Sequence, residues 1–362
     1  DSNGLHQPQG AIVAMNPHNG YIMAMVGGRG DDAFNRATQA ERQPGSAMKP
    51  FVYLAAIQSG KTPGSIVDDS PVTFGNWSPK NYENDFVGSI TYRYALQHSR
   101  NVAAVKIADE VGMSKVIKLA KEMGISTLTD QDYNLSTALG GLTHGVTPLD
   151  MVQAYGVLAN GGIKVQPTAI LKIVDRNGQV VEENSIQEKR VVDEKDAAII
   201  TNMLESVING GTGGNAAIGR PAAGKTGTTD DSKDAWFVGY TPDLVAAVWI
   251  GDDYGSETLH GITGGDTPAI MWGQFMANAL ANTPASDFSV PSSAQSAISE
   301  GYYNPVKAQP KKDDKKDEKA DKKDDKDKSK DEAVKDDSGS KDDATEQKSN
   351  SSKSKKSSKK DR

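Results

Sequence analysis

Apolar runs and turn residues alternate along the chain, and their spacing sorts it into helices and strands. AIVAMNPHNGYIMAMVGG, residues 11–28, sets two apolar runs around Pro17, Asn19 and Gly20, a β-hairpin pattern. PGSAMKPFVYLAAIQSG, residues 44–60, breaks at Pro44 and Gly45 and then runs into a helix apolar on nearly every side, which predicts burial. Residues 61–92, rich in Pro, Gly, Asn and Asp, read as an ordered loop region with short strands. Two helical patterns over 101–124 each stop at Gly. TPLDMVQAYGVLANGG, residues 147–162, has Thr147 as N-cap, Pro148 at the first helical position, Asp150 at the third and two glycines as the stop. A hairpin around Asn177 and Gly178 follows, then a capped helix over 192–211.

The next pattern is different. AAGKTGTT, DAWFVGY and LVAAVWIGDD are three β-type runs joined only by DDSK and TPD. Connections that short join antiparallel neighbours. TPAIMWGQFMANAL, residues 267–280, closes the ordered region as an amphipathic helix. Beyond about Val290 the composition changes: 291–306 read as a linker, and 307–362 are almost all Lys, Asp, Ser, Glu and Ala without one aromatic. That segment cannot bury enough apolar surface to offset chain entropy, which predicts a disordered, solvated tail.

Charge sharpens this division. The formal net charge of −7 averages a tail with 20 basic and 16 acidic residues against a body with 21 and 32. An acidic body argues against nucleic acid as its partner. There is no cysteine, and the five histidines are scattered without ligand spacing, so neither a metal nor a cofactor is expected. No apolar run reaches the roughly 18 residues a membrane span needs. The opening DSNGLHQPQG has no initiator Met and leads almost at once into a strand, which reads as the carboxy-terminal portion of something longer.

GRPAAGKTG, Gly219 to Gly227, fits the nucleotide phosphate loop G-x-x-x-x-G-K-[ST]. Its neighbours refuse that reading. A phosphate loop needs a buried parallel strand before it and a helix starting at the Lys-Thr. GTGGNAAIG precedes it instead, and a short strand and turn follow. On an antiparallel edge strand the same letters suit an extended peptide: Lys225 supplies charge, Thr226 and Thr228 supply hydroxyls, and Gly227 allows close approach.

That use predicts a nucleophile elsewhere. Ser46 and Lys49 stand three apart at the start of the buried helix, on one face. The helix amides favour negative charge near Ser46, and burial lowers the pKa of Lys49 toward that of a base. Ser99, Arg100 and Asn101 precede the next helix. S-x-x-K, S-D-N and K-T-G form the motif set of penicillin-binding proteins and class A β-lactamases. All three are present, with Arg100 in place of the Asp.

QPGSAMKPFVYLAA, HSRNVAAVKIADEVG, LGGLTHGVTPLDMVQAYGVLANGG and AGKTGTTDDSKDAWFVGYTPDLVAAVWIGDD closely resemble the transpeptidase domain of class A penicillin-binding proteins, over roughly residues 10–285. The resemblance implies a D,D-transpeptidase that cross-links peptidoglycan stem peptides and is acylated by β-lactams. Ser46 would be the nucleophile, Lys49 its base and Ser99 a proton relay. Asn101 would bind the substrate amide, and Lys225, Thr226 and Thr228 its carboxylate. Backbone N–H groups of Ser46 and Thr228 would form the oxyanion hole. The implied fold is α+β: a five-stranded antiparallel sheet, built from hairpin 11–26 and the three later strands, flanked by helices. A mostly helical lobe over about 46–210 would complete a domain spanning 1–290. The implied location is the outer face of the bacterial cell membrane, reached through an anchor and glycosyltransferase domain upstream, with other cell-wall synthesis proteins as further partners.

The alternatives on this fold are a D,D-carboxypeptidase, a β-lactam sensor and a serine β-lactamase. Glu205 to Asn209 superficially matches the Glu-x-x-Leu-Asn loop of class A lactamases, but lies at the end of a patterned helix just before the third motif. Glu205 is therefore expected to be an exposed helix residue. Arg29-Gly30-Asp31 reads as a loop after the first hairpin, Trp77 and Tyr82 either as lining of a substrate groove or as packing in the ordered loop, and Trp236 and Phe237 as core.

Overall fold

A computed structural model of the chain describes residues 7–30 and 33–302. The tail expected to be disordered lies outside the described residues, as does Asp31. The sheet has five strands: β1 (Gln9–Met15), β2 (Ile22–Val26), β3 (Ala223–Thr228), β4 (Asp234–Tyr240) and β5 (Val245–Gly251). Their order is β2-β1-β5-β4-β3, with every neighbour antiparallel. Val13 faces Ala247, Val248 faces Phe237, and Phe237 faces Thr226. β3 is thus an edge strand.

β4 and β5 are buried at every residue, because successive side chains go to opposite faces and both faces are covered. Trp236, Val238, Tyr240 and Trp249 join the main core, with helices α3 (Pro148–Ala159) and α4 (Glu194–Ile208) against that face. Phe237, Ala246 and Val248 join a second core with Trp272 and Met276 of α5 (Thr267–Ala279). Trp236 and Phe237 are both core residues, one on each side.

The helical lobe holds α1 (Lys49–Gln58) and α2 (Asn101–Val111). α1 is buried from Lys49 through Ile57, as its apolar circumference requires. α3 begins with a capping box in which Thr147 and Asp150 satisfy each other's backbone N–H, with Pro148 in the first turn. The hairpin around Gly178 pairs Lys172–Val174 with Val180–Glu183, and the Asp175 carboxylate accepts from the amides of Asn177 and Gln179 across its turn.

Two segments differ from expectation. Ser46 sits in a 3₁₀ turn, Gly45–Met48, that precedes α1. Pro50 lacks an N–H, so the α-helix takes it in its first turn and the tighter coil forms ahead of it. Residues 291–302 are packed, not a linker: Ser292–Ala294 and Gln295–Ile298 form two short turns with Ala294 buried. The buried Arg93 holds them by donating to the carbonyls of Ile298 and Glu300, both at 2.8 Å, and lies 3.9 Å from the centroid of the Tyr302 ring. A low-complexity composition hides an attachment that uses backbone carbonyls.

Candidate active site

The chain that delivers Ser46 is clamped on two sides. Trp236 of β4 donates its indole N–H to the carbonyl of Gln43 at 2.9 Å. The Gln43 amide in turn donates to the carbonyl of Leu142 at 2.8 Å and accepts from its N–H at 2.7 Å. The stretch around Leu142, which holds no catalytic letter, therefore fixes the approach to Ser46. Gly45 then takes a left-handed φ of +54°, and a Cβ there would stand 2.5 Å from the Thr228 carbonyl. This backbone contact sets Ser46 against the end of β3.

Gly227 has the complementary task. A Cβ on it would meet the Pro44 carbonyl at 2.3 Å and the Ala47 Cβ at 3.2 Å. The close approach it permits is by the protein's own Ser46 segment, where the sequence suggested a ligand. Gly227→Ala is expected to push β3 away and cut acylation by a penicillin about 10²-fold, the scale of an ångström-sized misplacement. Stopped-flow measurement of acylation checks this; a rate within twofold of wild type would contradict it.

Lys49 and Lys225 are both fully buried and meet at Ser99. Lys49 Nζ donates to Ser99 Oγ at 3.1 Å, to the Ser99 carbonyl at 2.5 Å and to Asn101 Oδ1 at 2.5 Å. Lys225 Nζ reaches Ser99 Oγ at 2.9 Å and the Thr226 carbonyl and hydroxyl at 3.1 Å. Burial first, and then the charge of Lys225, holds the Lys49 amine well below the ordinary lysine range. Burial pushes Lys225 down to about 7. A hydroxyl has one proton and two lone pairs, so Ser99 can accept from one amine and donate to the other when that one is neutral. Ser99 itself is held at a φ of +53°, a strained value for a residue with a Cβ.

Ser99 borders a cavity of about 450 Å³ whose wall also includes Ser46, Asn101, Thr226 and Thr228, with Tyr82 from the loop region at its rim. Neither lysine lines it. The sequence placed Lys225 on the ligand; burial puts its amine against Ser99 and Thr226, and the two threonines line the space. The Thr226 hydroxyl is shared with Thr212 at 2.8 Å, and that of Thr228 accepts from the Gly264 N–H at 3.0 Å. The first N–H groups of a helical turn have no partner within it. Ser46 therefore offers an amide beside the end of β3.

Glu205 is half-buried, not exposed, and borders a separate cavity with Asn209 and Arg93 that excludes Ser46. Its carboxyl accepts from Asn202 at 3.1 Å, and burial raises its pKa. Arg100 turns away from the active cavity into Asp69. Thr212, Asn81 and Asp69 escaped the sequence reading because they join the site through contacts between distant segments, for which no local spacing exists.

The penicillin binding protein transpeptidase domain model matches residues 10–258. Penicillin-binding protein 1A of Aquifex aeolicus is 41% identical over 292 residues, covering 78% of this chain and 40% of the relative. That of Neisseria gonorrhoeae is 37% identical over 313 residues, covering 81% and 38%. The chain thus spans about 40% of the length of such curated relatives. Among solved structures, penicillin-binding protein 1A from Haemophilus influenzae superposes with a TM-score of 0.74 at 30% identity, over 79% of this chain and 49% of that one. PonA1 from Mycobacterium tuberculosis in complex with penicillin V gives 0.71 at 31%, over 79% and 81%. The matched region runs from β1 past the end of β5 and takes in the segments that carry Ser46, Lys49, Ser99, Asn101, Lys225 and Thr228, so the chain belongs to the family of penicillin-binding protein transpeptidase domains.

Proposed function

We propose that the domain is a serine D,D-transpeptidase acting on peptidoglycan stem peptides. The observation that carries this is Ser46 in the wall of a cavity beside Ser99, whose hydroxyl is shared by two buried, depressed lysines that lie behind that wall. Ser46 Oγ attacks the carbonyl carbon of a terminal D-Ala–D-Ala amide while Lys49 takes its proton. The tetrahedral oxyanion lies between the backbone N–H groups of Ser46 and Thr228, each donor worth about 3–4 kcal/mol in comparable sites. As the C–N bond breaks, the proton passes through Ser99 to the leaving D-Ala nitrogen. An amine of a second stem peptide then attacks the ester, gives up a proton by the same route and restores Ser46.

The Thr226 and Thr228 hydroxyls suit the donor's terminal carboxylate, and Asn101 keeps one amide N–H for its backbone. β-Lactams acylate Ser46 as mimics of the D-Ala–D-Ala terminus, and the penicillin V complex of PonA1 supports this reading. Peptidoglycan as substrate puts the domain outside the cell membrane. Among the described residues no helix is long and apolar enough to cross a membrane. Incubation with a D-Ala–D-Ala pentapeptide and a defined amine tests the proposal by mass spectrometry. The expected result is an enzyme heavier by the peptide minus one D-Ala, discharged to an amide. Absence of both D-Ala release and the mass shift would overturn it.

A further inference from the structure

The side chain that caps α2 does not come from the residues before it. Arg100 is the N-cap by position but makes no side-chain capping bond. Asn81, twenty residues upstream on the loop that walls the cavity, caps it instead: its Oδ1 accepts from the N–H groups of Asn101 at 2.8 Å and Val102 at 3.1 Å. The adjacent Lys80 carbonyl accepts from Asn101 Nδ2 at 2.9 Å. A carbonyl can only accept, so this contact orients the Asn101 amide and turns its Oδ1 onto Lys49 Nζ. The pair Lys80 and Asn81 thus holds Asn101 by its backbone and by its side chain.

Asn81 is in turn held by groups that no motif contains. Its Nδ2 points at both oxygens of the fully buried Asp69, at 3.0 and 3.1 Å, and at the Asp85 carbonyl at 2.9 Å. Asp69 receives Arg100 through Nε at 2.9 Å and Nη2 at 2.7 Å. Arg100 reaches the Asp85 carboxylate as well, at 2.8 Å. The middle residue of the second motif therefore locks the loop that orients the third.

We infer that Asn81 is a positioning residue for acyl transfer, acting through Asn101 on Lys49, with Asp69 and Arg100 fixing Asn81 in place. The inference rests on the transpeptidase reading. The buried ion pair is a poor target for testing it, since removing one partner strands the other's charge. Asn81 is neutral, and its effect can be separated from a general loss of stability by asking whether it needs Asn101.

The test is a double-mutant cycle on the first-order rate of acylation by a fluorescent penicillin, with the active fraction taken from the final amplitude. Asn81→Ala is expected to slow acylation about tenfold or more in the wild-type background, and less than twofold in Asn101→Ala. Equal slowing in both backgrounds, or none in either, overturns the inference. A wild-type chain that is never acylated sinks the transpeptidase reading itself, so the two failures are distinct. If Asn81→Ala does not fold, the exchange of Asp69→Asn with Asn81→Asp decides. It keeps the charge and an acceptor for α2 while reversing donor and acceptor. Acylation faster in the exchanged protein than in either single variant supports the coupling, and no recovery overturns it.

Discussion

Ser46→Ala is expected to abolish covalent labelling by a fluorescent penicillin while leaving the fold intact, with residual acylation down by a factor on the order of 10³ or more. On the proposed reading, the Ser46 oxygen is the atom whose bond to the acyl carbon the label reports. Ser99 shares the cavity wall with Ser46, but its hydroxyl is held between two lysines that would have to give up their bonds to free it. The fold survives because the turn is fixed by groups other than the serine side chain: Gln43 with Leu142, Trp236 with the Gln43 carbonyl, and Gly45 against Thr228. Gel fluorescence together with a thermal melt checks both halves. Labelling that persists in the variant would move the nucleophile elsewhere and remove the basis for every role assigned around it.

What the sequence revealed of this arrangement follows from the range of the interactions involved. Ser46 and Lys49 are three residues apart on one turn, so their relation was readable whether the turn was 3₁₀ or α. The three strands from 223 to 251 were readable because their connections leave room for only one pairing. Thr147, Pro148 and Asp150 announced α3 for the same local reason. The resemblance joined hairpin 11–26 to those strands in one sheet across more than 200 residues of chain, and the strand order came only with the structure.

Burial decided what stayed hidden. Lys225 is an ordinary charged letter until the fold buries it and sets its amine against Ser99 and Thr226. Gly227 reads as room for a ligand until Pro44 occupies that room. Asn81 looks like a loop residue because its partners, Asp69 on one side and α2 on the other, are set by the path of the whole loop. The phosphate-loop letters of Gly219 to Thr226 are the opposite case, a local match that the antiparallel edge strand cancels.

The position of Lys225 leads to the second large effect, a change in how acylation depends on pH. Lys49 and Lys225 share Ser99 Oγ and titrate as a coupled pair, so their protons come off in steps that belong to both. Lys49 must be neutral to take the Ser46 proton, and acylation therefore falls as pH drops through the lower step, with a slope approaching one decade per pH unit. The positive charge of Lys225 is a cause of the lowered Lys49 pKa, second only to burial. Lys225→Met removes that charge, so the acid limb is expected to move to higher pH, with acylation at neutral pH down about 10²-fold. Were Lys225 only a clamp for the substrate carboxylate, the variant would weaken binding and leave the limb in place. The same shift is visible in stability. The folded protein holds Lys225 at about 7 against an ordinary 10.5, so between those values the unfolded chain binds more protons. Stability from this group consequently rises with pH across that window, by up to about 1.4 kcal/mol per pH unit, and is lowest where both states are protonated. Denaturant unfolding of wild type and Lys225→Met from pH 6 to pH 10 checks the sign: the wild-type curve should climb more steeply. Parallel curves would mean that the buried amine is not titrating there, and with it would go the claim that Lys225 tunes the base.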